Sequence, residues 1–114
     1  MTSFTTVESR DWISSDAIGQ AIERCKLWFG EGGVSCSLVK IPADTDMGRH
    51  KHDSWVSVFV IEGTMIVSDA DGERTLSAGD FYFVEPGDVH SERTKDAATF
   101  LTIKAEPNIQ YAVD

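Results

Sequence analysis

Apolar and polar positions alternate along most of this chain in short runs broken by glycine, proline and aspartate. "CKLWFGEGGVSCSLVKIP", Cys25 to Pro42, reads as a strand, a glycine turn at Gly30 to Gly33 and a second strand ending before Pro42. A third extended run, Ser54 to Glu62, reaches a turn at Gly63 and resumes in "TMIVSDADGERTLSAGD", where Asp71-Gly72 marks a hairpin. "DFYFVEPGDVHSERT" continues with a strand, a Pro86-Gly87 turn and a histidine, and "ATFLTIKAEP" closes the pattern with Phe100, Thr102 and Lys104 alternating against Leu101 and Ile103. Turn signals at this spacing predict a β-sandwich or barrel and not a parallel α/β sheet. Only "SSDAIGQAIERC", Ser14 to Cys25, departs from the alternation. Its apolar residues Ala17, Ile18, Ala21 and Ile22 fit a short helix capped at Ser14 or Ser15, although Gly19 interrupts it.

A length of 114 residues supports one core, so residues 1–114 are read as a single domain. No apolar stretch approaches the roughly 20 residues that span a bilayer, and the start, "MTSFTTVESRDW", lacks a basic region followed by an apolar one. These features lead to an expected cytoplasmic location without membrane association. Cys25 and Cys36 are accordingly read as reduced thiols. The 19 acidic and 10 basic residues give a net charge of −9 with no lysine- or arginine-rich block, which argues against nucleic acid as a partner.

The chain has 3 histidines, and "GRHKHD" holds two of them. In a strand, residues two apart project from one face, so His50 and His52 can present imidazoles to one point. The same spacing also occurs in solvated loops. A hairpin through Pro86-Gly87 could carry His90 to the first pair.

With these residues in view the chain resembles the cupin superfamily. Gly48, His50, His52 and Gly63 match that family's first motif, and Gly79, Pro86, Gly87 and His90 match its second. The resemblance covers about residues 34–103. It implies an all-β double-stranded β-helix, a jelly-roll-like barrel, with a short N-terminal helical or extended segment. It also implies a divalent metal held by His50, His52 and His90.

Two positions depart from the family pattern. Val56 stands where the first motif usually has its glutamate ligand, so three neutral imidazoles would leave the ion its full charge. Glu85 stands at the first turn proline and shares alternation with Phe81 and Phe83; if that face points inward, Glu85 is a fourth ligand or an acid/base group. Trp55 and Phe59, on the parity opposite the ligands, are expected outside the lumen.

Similarity to small three-histidine cupins implies an iron(II)-dependent dioxygenase acting on a small carbonyl or enolisable substrate. Zinc, nickel or manganese would instead suit an isomerase, lyase or cyclase with Glu85 or Tyr82 carrying protons. A third expectation is a regulatory cupin that binds a small molecule without chemistry. The family resemblance further implies a homodimer through strands near the N-terminus, where "CKLWF" offers an apolar edge.

Overall fold

The computed structural model describes residues 2–114. Its strands are β1 (Ile13–Ala17), β2 (Gln20–Gly30), β3 (Val34–Ile41), β4 (Thr45–His52), β5 (Val56–Glu62), β6 (Thr64–Asp69), β7 (Gly72–Ser77), β8 (Phe81–Val84), β9 (His90–Thr94), β10 (Ala98–Ala105) and β11 (Gln110–Ala112). They form two antiparallel sheets, ordered β1-β2-β3-β10-β5-β8 and β11-β4-β9-β6-β7. The result is the all-β jelly roll that the alternation and the two motifs imply. Among the described residues no helix is long and apolar enough to cross a membrane.

The segment Ser14 to Cys25 is not helical. It forms the β1–β2 hairpin, in which Ala17 pairs with Gln20 and Ser15 with Ile22. Ile18 and Gly19 both take positive φ, 52° and 78°. Two successive left-handed residues make a tight hairpin turn, and Asp16 Oδ1 secures it by accepting from the Gly19 amide at 2.9 Å. Ala17 and Ile22 then face inward together, so spacing that mimics a helical stripe serves two paired strands.

Inward side chains of both sheets build the core: Val39, Ile41, Met47, Val56, Val58, Met65, Val84 and Phe100 are all buried. Each such side chain contributes about 1.5–3 kcal/mol through removal of apolar surface from water. The outward face of the larger sheet is also aromatic, with Phe59, Phe81 and Phe83 exposed, as parity requires for Phe59. Trp55 is half-buried and stacks on Phe83, ring centroids 6.1 Å apart. Because β1 pairs with Gln20 to Arg24, the Cys25–Phe29 half of β2 has one edge without a strand partner among the described residues.

Three features place the ligand strands. Gly63, at φ 76°, ends β5 where an added Cβ would stand 2.2 Å from the Ala97 carbonyl oxygen, so glycine alone permits this crossing. β4 pairs with β9 so that His50 lies directly opposite His90. On the other side of β4 the chain end supplies β11, which sets Gln110 against His52 and Ala112 against His50. The sequence pattern gave no sign of β11; at 3 residues it is too short to show alternation.

Candidate metal centre

His50, His52 and His90 are all buried, and one ring nitrogen of each lies within 4.8 Å of the others. The centroids of His50 and His90 are 4.2 Å apart. Each imidazole is held through its other nitrogen. His50 Nδ1 contacts the Gly48 carbonyl at 2.9 Å, and His90 Nδ1 the Asp88 carbonyl at 3.2 Å. His52 Nδ1 meets Asn108 Oδ1 at 2.9 Å, while Asn108 Nδ2 donates to the Trp55 carbonyl at 3.1 Å.

All three partners accept, so each Nδ1 carries a hydrogen and each Nε2 is the atom left facing the lumen. Metal-ligating histidines are typically oriented by such contacts. The Nε2 of His50 is also a buried nitrogen with no hydrogen-bond partner among the described residues. A converging set of imidazoles with an unpartnered buried nitrogen fits a divalent ion.

A fourth group stands at this point that the sequence reading missed. Glu92, only 9% exposed, extends from β9 on the same side as His90, and its Oε1 lies 3.1 Å from His50 Nε2 and 3.6 Å from His90 Nε2. Its other oxygen, Oε2, accepts a short hydrogen bond from the Tyr82 hydroxyl. Val56, on β5, lines the cavity as an apolar wall. The three expected ligands are thus together, and a carboxylate stands beside them, from β9 and not from β5. The available signal was parity: His90 and Glu92 repeat the i, i+2 spacing of His50 and His52.

Glu85 does not join this cluster. It is exposed in the turn after β8, on the parity of outward-facing Phe81 and Phe83, whereas Tyr82 and Val84 turn into the lumen.

Charge and burial set the protonation. Burial opposes ionisation of Glu92, but contacts with His50 and His90 prevail and hold it well below the ordinary carboxylate range. Burial likewise disfavours a charged His50, yet Glu92 outweighs that and raises its pKa. Burial pushes His52 down to about 4, against the hydrogen bond to Asn108. Tyr82 is raised well above its usual value by burial and by the Glu92 charge, so it remains a phenol.

Comparison with known proteins agrees with the fold. Residues 2–108 match the model of the ChrR cupin-like domain. No curated protein matches the chain. Among solved structures, the polyketide cyclase RemF from Streptomyces resistomycificus is similar over 100% of this chain and 88% of its own, at 15% identity and a TM-score of 0.79. A cupin-superfamily sugar phosphate isomerase from Silicibacter pomeroyi is similar over 98% and 82%, at 21% identity and a TM-score of 0.75. A protein described as a predicted oxalate decarboxylase from Thermotoga maritima is similar over 90% and 98%, at 18% identity and a TM-score of 0.77. At these identities the likeness is one of fold.

Proposed function

The chain belongs to the ChrR cupin-like family, and from that membership and the site we propose a metal-dependent enzyme that moves a proton on a small, enolisable carbonyl compound. The observation that carries this reading is the hydrogen-bonded Tyr82–Glu92 pair set against the Nε2 atoms of His50 and His90. When bound, a divalent ion would polarise a carbonyl oxygen and so favour enolisation.

The chain's own residues supply the rest. His50, His52 and His90 would hold the ion, and Glu92 would either complete the donor set or stand beside it as a proton acceptor. Tyr82, kept as a phenol, donates to Glu92 and fixes the direction of its carboxylate. Val56, Val58, Val84 and Phe100 line the same cavity and keep water from the reacting carbon. The similar cyclase and isomerase structures accord with this class of chemistry, although the proposal stands on the side chains.

The iron(II) dioxygenase implied by the resemblance is the second reading. It is favoured by the three-histidine cluster taken alone, which leaves three positions of a six-coordinate ion open, against two when Glu92 also ligates. Under strict anaerobiosis in D2O, metal-loaded protein is expected to exchange the methyl hydrogens of pyruvate. Oxygen uptake with β-diketones and no anaerobic exchange would favour the dioxygenase. Neither activity would leave a binding or regulatory cupin.

A homodimer is part of the same proposal. The open Cys25–Phe29 edge carries Trp28 and Phe29, 51% and 55% exposed, which supports pairing there. Sedimentation at micromolar concentration is expected to show a dimer, and a monomer would remove this part.

A further inference from the structure

The cavity that ends at the histidines is not closed by apolar side chains alone. Its wall includes Arg24 from β2 and Lys104 from β10, together with Thr102. Lys104 lies directly across the strands from Val56 on one side and Ser35 on the other, so its stem enters the lumen at the position where the expected glutamate ligand is absent. Two cations thus share a small cavity, about 50 Å³, with His52, His90 and Glu92.

Their partners within the chain are too few. The Lys104 ammonium, 20% exposed, has Glu106 Oε1 at 3.8 Å, and that same oxygen accepts from the Ser35 hydroxyl at 2.9 Å. The Arg24 guanidinium, half-buried, makes no hydrogen bond or ion pair within bonding distance among the described residues. Burial lowers the pKa of both groups and the charge of Arg24 lowers Lys104 further, while Glu106 opposes the shift in both. A guanidinium has five donors in a rigid fork, and leaving them unmatched in a partly dry cavity is costly. At this end of the cavity Arg24 and Lys104, set against Glu106, leave one positive charge, while the Glu92 carboxylate stands at the histidine end.

We infer that this cavity takes a monoanionic substrate, a small carbonyl compound whose carboxylate is bound by Arg24 and Lys104 while its carbonyl end reaches the histidine cluster. The single surplus charge matches a carboxylate better than a phosphate dianion, and the fork of Arg24 matches its planar geometry. The inference rests on the metal reading above and adds the substrate class to it.

Cobalt(II)-loaded protein reports occupancy of the site through its visible spectrum. Titration with succinylacetone and with acetylacetone compares one chelating diketone with and without a carboxylate arm. The wild-type chain is expected to bind succinylacetone about tenfold more tightly or better, the size of a hydrogen bond to a charged group. In Arg24→Gln and in Lys104→Met that preference is expected to shrink toward unity, with thermal melting confirming that each variant folds. No preference in the wild type, or a preference unchanged in both variants, overturns the inference while leaving the metal site intact. If cobalt does not bind, it is the metal reading that has failed. The anion site is then read from the thermal shift produced by succinate, and absence of a shift that depends on Arg24 overturns it.

Discussion

Glu92 Oε1 stands 3.1 Å from Nε2 of His50, the nitrogen that has no hydrogen-bond partner. The buried carboxylate favours a charged His50 in protein without metal, so metal binding is expected to release a proton. Glu92→Gln keeps the shape and removes the charge. It is expected to weaken metal binding by about 10–100-fold, as measured by competition with a chromophoric chelator. Unchanged affinity would remove Glu92 from the donor set.

Among the described residues Asn108 is the only side chain that hydrogen-bonds His52, and it does so from outside both sequence motifs. In Asn108→Ala the Trp55 carbonyl and His52 Nδ1 lose their partner. Metal affinity is expected to fall by about tenfold or more, and thermal stability to fall by about 1–3 kcal/mol for the polar groups left unpaired.

Tyr82→Phe tests the proton-handling pair. The ring still fills the lumen beside the core, while the hydroxyl bonded to Glu92 is gone. Turnover in the deuterium-exchange assay is expected to drop by about 10²-fold, the scale for a misdirected catalytic group. Metal content by elemental analysis is expected to stay the same. Loss of metal along with activity would make Tyr82 a structural support only.

The two buried histidines on β4 should titrate in opposite directions in protein stripped of metal. His52, at about 4, stays uncharged while the unfolded chain takes up a proton below about 6.5. Its contribution to stability is present above that pH and is lost as the pH falls through the window between the two values. His50 is raised, so its contribution is present at low pH and is lost as the pH rises through its folded value. Proton-detected NMR of the imidazoles is expected to show His52 neutral at about pH 5 with His50 charged. A His52 midpoint near its ordinary value would contradict the buried, Asn108-held ring.

Gly63→Ala should harm the fold and not the chemistry. At φ 76° the left-handed conformation costs a side chain about 1–2 kcal/mol. The contact with the Ala97 carbonyl at 2.2 Å adds to that. A chemical melt is expected to show a lower midpoint with an unchanged slope.

What the sequence by itself determined was local. Alternation placed β5 to β8 and β10 near their observed bounds because side-chain parity and turn-forming residues act within a few positions of each other. The two histidine motifs marked the site for the same reason, since the i, i+2 chelate of His50 and His52 needs only one strand. Spacing at Ala17, Ile18, Ala21 and Ile22 was ambiguous, because two strands joined by a left-handed two-residue turn also bring Ala17 and Ile22 to one face, while Ala21 turns outward.

Only the tertiary structure decided what surrounds the metal ligands. Asn108 reaches His52 across 56 residues of chain, and Arg24 enters the lumen from a strand far from either motif. Glu92 becomes a neighbour of His50 because β4 and β9 pair in one register, with His50 opposite His90. Such contacts depend on which strands become neighbours, and that is set by closure of the whole core, not by any stretch of sequence read alone.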